Sequence, residues 1–154
     1  MSKQATQVFL ILASLVLSAC GEQQAETPAT STVVAPARTA SSEGASVFII
    51  TPADGETVSS PLHVEFGIAG MTIVAAGVNE PQSGHHHLLI DTGLPELGLP
   101  VPADAHHIHF GDASTSTEIS LEAGEHTLQL LLGDYSHIPH DPPLVSQQIA
   151  ITVE

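Results

Sequence analysis

Leu62, Val64, Phe66 and Ile68 alternate with His63, Glu65 and Gly67, the two-residue period of a strand with one buried face. Short runs of the same kind recur at Val47–Thr51, Thr72–Ala76, His85–Asp91, His106–Phe110, Thr117–Leu121, His126–Leu132 and Gln147–Val153. Leu128, Leu130 and Leu132 form a second apolar stripe. Gly and Pro punctuate the runs, as in the turn Pro52-Ala53-Asp54-Gly55, and no stretch sustains a helical period. The pattern predicts two packed sheets and no helix.

The spacing of these strands suits an immunoglobulin-like antiparallel β-sandwich of about seven to eight strands. Glu122-Ala123-Gly124-Glu125-His126 has the layout of the tyrosine corner in such sandwiches, with His126 in the tyrosine's place. His126 is therefore expected to bond back to the upstream backbone rather than to serve as a ligand.

Before residue 46 the pattern changes. Lys3 precedes an apolar run, Val8–Leu17, which is too short for a bilayer span of about twenty residues and reads as an export signal. Leu17-Ser18-Ala19-Cys20 resembles the lipobox of bacterial lipoproteins, in which the cysteine becomes a lipid-carrying N-terminus. Residues 1–19 thus read as a signal peptide and Cys20 as the lipidation site. Residues 20–45, rich in Gln, Glu, Ala, Thr, Ser and Pro, read as a disordered linker with a reach of about 25–30 Å as a coil. Residues 46–154 are left as the folded domain. This organisation places the protein in the bacterial cell envelope, on the periplasmic face and at the outer membrane, held to the membrane by its lipid alone.

The formal charge is −15, and the only two basic residues, Lys3 and Arg38, lie outside 46–154. Nucleic acid is excluded as a partner, because its affinity rests on Lys and Arg neutralising phosphates. Binding of anionic lipid through protein charge is excluded on the same ground. A buried carboxylate in this domain needs backbone N–H groups, histidinium or a bound cation to offset its lost hydration. Cys20 is the only cysteine, so no thiol remains for a disulfide or a thiolate site.

Six of the ten histidines fall in Gly84-His85-His86-His87-Leu88-Leu89-Ile90-Asp91 and His106-His107-Ile108-His109-Phe110, and His137 and His140 follow in a proline-rich loop. Strand alternation puts His85 and His87 on one face and His107 and His109 on one face, directed outward or into a groove. His86 and His106 are expected to turn inward with Leu88, Ile90, Ile108 and Phe110. If successive strands run up and down, His85, His87, His109, His137 and His140 gather at one end of the sandwich. His85, His87, His107, His109, His137 and His140 are the candidate metal ligands. Asp141 or Asp134 is a candidate carboxylate ligand or an acceptor that orients an imidazole.

Imidazole with carboxylate suits Cu(II) or Zn(II), whereas soft Cu(I) prefers thiolate or thioether, and Met71 is the domain's only methionine. No residue pattern marks a nucleophile, a base or a substrate cleft, so the expected role is binding rather than catalysis. The competing reading is a structural or protein-interaction module of the envelope that holds no metal.

At Gly84–Asp91, His107–Gly111, Gly124–Leu130 and Gly133–Pro143 the chain resembles a bacterial, His-rich family known as domain of unknown function 4399. The resemblance spans roughly Gly84 to Val153 and implies a domain boundary, not an activity. His107-Ile108-His109-Phe110-Gly111-Asp112 is superficially similar to copper–zinc superoxide dismutases. The chain lacks their disulfide cysteines and their anion-guiding arginine, so that assignment is rejected.

Overall fold

The computed structural model describes residues 37–154. The signal segment, Cys20 and most of the expected linker lie outside the described residues. Nine strands and no helix make up the described chain: β1 (Ser46–Thr51), β2 (Thr57–Val58), β3 (Leu62–Ala69), β4 (Thr72–Ile73), β5 (Ser83–Ile90), β6 (His107–His109), β7 (Ser116–Ile119), β8 (Gly124–Gly133) and β9 (Ile149–Val153). Every strand read from the sequence is present, and β2 is added. Two residues are too few to show a period, and β2 forms only by lying parallel to β9.

The strands form two sheets, as expected of a sandwich. One has the order β1-β3-β7; the other has the order β2-β9-β8-β5-β4, with β6 also paired to β5. The main pairings are antiparallel, and the two parallel ones, β2 with β9 and β4 with β5, involve the two-residue strands. The core lies between the sheets. Leu62, Val64 and Phe66 from β3 meet Leu88 and Ile90 from β5 and Leu128, Leu130 and Leu132 from β8. Alternation along β3 is as the sequence implied, with Leu62, Val64 and Phe66 buried and His63 and Glu65 exposed.

β5 departs from that rule, since all eight of its residues are buried. Its inner face joins the main core, where the His86 ring stands edge-on to Phe66 at 4.9 Å. Its outer face is covered by loops. Leu89 packs with Leu131 and with Val101 from the β5–β6 connection, and Val145 packs against them. Of the two placements expected for His85 and His87, in solvent or in a groove, the first is excluded: they are 0% and 1% exposed on this covered outer face. His106 departs in the other direction. It is exposed at the entry to β6, with Nδ1 2.9 Å from the Ile90 carbonyl oxygen.

The corner histidine behaves as read. His126 Nδ1 lies 2.7 Å from Asp91 Oδ2, and Nε2 lies 2.9 Å from the Glu122 carbonyl oxygen. Both partners are acceptors, so both nitrogens donate only in the imidazolium form. The hydrogen bond to Asp91 accordingly raises the His126 pKa. Burial works to raise the Asp91 pKa, but the bonds from His126 and the Thr127 N–H outweigh it and hold the carboxyl low. In its protonated form His126 is thus the counter-charge of one of the domain's carboxylates.

Arg38 and its neighbours belong to the folded body as well. Arg38 Nε donates to the Pro139 carbonyl at 2.9 Å, another guanidinium nitrogen donates to the His140 carbonyl, and Nη1 is 3.3 Å from Asp141 Oδ1. The Asp141 N–H donates to the Thr39 carbonyl, and the Ser41 N–H donates to the Asp141 carbonyl. Composition assigned this stretch to the linker because it holds little apolar bulk. Its order comes instead from backbone pairing, which composition does not register.

Candidate metal centre

Register on β5 builds the floor of the site. His85 and His87 are two residues apart and so share the outer face, opposite Gly133 and Leu131 of β8. On the other edge of β5, His87 is paired with His109 of β6. The β8 strand ends at Gly133 and leads directly into the loop that returns His137 over the same face.

That loop is held by Asp134, which is 4% exposed. Its Oδ1 accepts the N–H groups of Ser136 at 2.8 Å and Ile138 at 3.0 Å, and its Oδ2 accepts the Thr39 hydroxyl at 2.7 Å. Hydrogen bonds to main-chain N–H groups and a hydroxyl, with no lysine or arginine among its partners, compensate the buried carboxylate. Between those anchors His137 adopts a left-handed conformation with φ 68°. Its N–H donates to the Asp134 carbonyl and its carbonyl accepts the Val101 N–H, each at 2.9 Å. Both backbone groups of His137 are tied, so its ring is carried on a fixed base.

Four imidazoles meet as a result. Ring centres are separated by 4.8 Å for His85–His87, 4.9 Å for His85–His109, 4.9 Å for His85–His137 and 4.8 Å for His109–His137. His87 lies 5.2 Å from His109 and 6.0 Å from His137. His85, His109 and His137 each offer a nitrogen within 4.8 Å of the others. His85 and His87 form the buried floor, His137 is half-buried and His109 is exposed, so the cluster opens to solvent on one side.

The buried nitrogens have no hydrogen-bond partner in the protein. Both nitrogens of His85 and Nδ1 of His87 are fully enclosed and unpaired. Leaving buried polar atoms unpaired is costly, and buried polar groups are ordinarily satisfied by protein, solvent or an ion. Burial, followed by repulsion from His137 and His109, pushes the His85 pKa down to about 4. Burial, followed by repulsion from His85 and His109, pushes His87 down to about 3. The His109 pKa is lowered by desolvation and then by His137. These rings are neutral at neutral pH, the state in which imidazole offers a lone pair to a metal.

The other candidates lie near the four rings without joining them. His107 is buried beside them, across from Leu89, with Nδ1 2.8 Å from Asp104 Oδ1 and Nε2 unpaired. His140 is fully buried with both nitrogens unpaired, under Gly84 rather than in the cluster. Asp141 directs its exposed carboxylate to Arg38. An open cleft at the far end of β5, lined by Gly55, Asp91, Glu125 and His126, offers no unpaired imidazole nitrogen, because His126 uses both of its own.

Glycines shape the cluster, a feature that the sequence reading did not use. A Cβ on Gly133 would lie 2.7 Å from Cε1 and 3.1 Å from Nδ1 of His87, and one on Gly111 would collide with the His109 ring. Neither glycine has a positive φ, so room for an imidazole, not backbone conformation, accounts for them. Gly133→Ala is expected to displace His87 and to cost about 1–3 kcal/mol as overpacking. Urea unfolding of the metal-free protein measures that cost.

The family model described as "Domain of unknown function (DUF4399)" matches residues 64–154, more than half of the chain. The chain belongs to this family. The match begins within β3, runs to the last residue and takes in all four clustered histidines. No curated protein matches the chain. No solved structure matches it either.

Proposed function

We propose that this domain binds a divalent transition metal, Zn(II) or Cu(II), through the imidazoles of His85, His87, His109 and His137. One observation carries the reading: four rings from three separate segments converge with ring centres 4.8–6.0 Å apart, and their enclosed nitrogens have no protein partner. His86 and His140 are enclosed and unpaired as well, so the convergence of the four rings, not the unpaired nitrogens alone, sets this cluster apart. Asp134 acts on the site by positioning the loop, since both its carboxylate oxygens are engaged there.

The role is binding rather than catalysis, at the cell envelope, with Cys20 as a lipid attachment point and the linker holding the domain off the membrane. The resemblance of Leu17–Cys20 to a lipobox supports that placement.

The experiment is metal uptake by the purified, untagged chain near neutral pH, followed by elemental analysis and titration calorimetry. One ion of Zn(II) or Cu(II) per chain is expected. Uptake of neither ion overturns the reading and leaves the envelope interaction module in its place.

A further inference from the structure

The spacing of the four rings carries information about the ion itself. An imidazole bound through nitrogen at about 2.0–2.1 Å places its ring centre about 3.2 Å from the metal. Four rings around a tetrahedral ion are then all separated by about 5.2 Å, each pair like every other. Around a square-planar ion, four separations shrink to about 4.5 Å and two, between opposite rings, stretch to about 6.4 Å.

Four rings can be divided into opposite pairs in three ways. His85–His87 with His109–His137 gives 4.8 and 4.8 Å. His85–His137 with His87–His109 gives 4.9 and 5.2 Å. His85–His109 with His87–His137 gives 4.9 and 6.0 Å. In no division are both separations long, so the arrangement is a tetrahedron stretched along His87–His137 and not a square.

The frame also resists flattening. His85 and His87 are fixed by the pleat of β5, which is paired on both edges. His109 is in register with His87, and the backbone of His137 is bonded at both its N–H and its carbonyl. The set of three nitrogens within 4.8 Å comes from His85, His109 and His137. His87 is not in that set; its ring centre lies 4.8, 5.2 and 6.0 Å from those of His85, His109 and His137, and service as a fourth ligand requires a turn about χ2, a soft torsion for imidazole.

We infer that the site is built for a tetrahedral ion, Zn(II), with His87 as the fourth ligand closing the coordination sphere, and that it penalises Cu(II) through geometry. This rests on the metal-binding reading above. Cu(II) ordinarily outcompetes Zn(II) at nitrogen sites, so selection for zinc has to come from an imposed arrangement such as this one. A closed set of four protein ligands also leaves no position for a substrate or a reactive water, in contrast to catalytic zinc sites with three protein ligands.

Co(II) substitution tests the inference on the intact chain. The expected spectrum has the intense visible d–d absorption of a four-coordinate ion, is lost on titration with one equivalent of Zn(II), and is insensitive to added azide. Cu(II), where it binds, is expected to give the small parallel hyperfine splitting of a tetrahedrally distorted site. His87→Ala is expected to lower Zn(II) affinity at least about tenfold and to make the Co(II) spectrum respond to azide or free imidazole.

A weak, six-coordinate Co(II) spectrum in the wild-type chain overturns the inference, as does an ordinary tetragonal Cu(II) signal. So does a His87→Ala protein that keeps the wild-type spectrum and affinity. The wild-type spectra decide the matter even if that variant does not fold. Failure to bind any of the three ions sinks the metal-binding reading instead, so the two failures are distinguishable.

Discussion

His109→Ala is expected to weaken Zn(II) binding by at least about 100-fold while leaving the metal-free protein folded. A directly coordinating imidazole counts for at least as much as the outer partners of metal ligands, whose loss costs about 10–100-fold. His109 is the suitable ligand to remove because it is exposed and sits at the mouth, whereas His85 and His87 are fully buried. The truncation takes little apolar surface from the core, so thermal unfolding of the apo variant should match the wild type within about 0.5 kcal/mol. Zinc in 100-fold excess over its dissociation constant stabilises the wild-type fold by about 2.7 kcal/mol, and that increment should fall to about 0.4 kcal/mol or less in the variant at the same concentration. His63→Ala, on the exposed face of β3, is the control and should change neither quantity. Competition against a chelator of known affinity provides the measurement. Wild-type affinity in His109→Ala would remove the cluster as the binding site.

Acid is expected to destabilise the metal-free protein between about pH 6.5 and pH 4, by several kcal/mol. The buried rings of His85, His86 and His87 have pKa values pushed down to about 4, about 4 and about 3, in each case first of all by desolvation. In the unfolded chain they titrate near 6.5, so below that pH the unfolded state binds more protons and stability falls as pH falls. The loss accumulates until the folded state also takes up its protons. His126 acts in the opposite sense: its raised pKa supplies stability below 6.5 that is lost as pH rises through the folded value. Three strongly lowered groups outweigh one raised group at the surface. Urea midpoints measured from pH 4 to pH 8 should therefore climb steeply to about 6.5 and decline slightly above it. In the folded protein the His85 and His87 rings stay unprotonated down to about 4 and about 3, so proton competition with zinc at these two ligands should set in only towards those values. A flat urea midpoint from pH 6.5 to pH 4 would show that the buried rings are not held neutral.

Much of this was legible along the chain because a strand's period shows which residues share a face. The identity of every strand except β2, the stripes Leu62–Val64–Phe66 and Leu128–Leu130–Leu132, and the hydrogen-bonding role of His126 all follow from spacing. So does the shared face of His85 and His87, and that of His107 and His109. Alternation does not report how far along its neighbour each strand is registered. His109 pairs with His87 and enters the cluster, while His107, two residues earlier, pairs with Leu89 and lies outside it. Alternating strand direction already sets His109 with His85, His87 and His137, but it leaves His107 among the candidate ligands and takes in His140. Asp141 was drawn away by Arg38, whose place in the fold depends on backbone pairing invisible to composition.

By itself, then, the sequence determined a helix-free sandwich, a domain in which no lysine or arginine can offset a buried carboxylate from within residues 46–154, and a supply of imidazoles on common strand faces. Local periodicity and formal charge are sufficient for those statements. Only the tertiary structure decided that the outer face of β5 is covered, that Gly133 and Gly111 leave room for two rings, and that four imidazoles lie with ring centres 4.8–6.0 Å apart. The reason is physical: burial, register and ring separation arise between segments distant in the chain, where loops from Val101 and Asp134 close over a strand that alternation alone would leave in solvent.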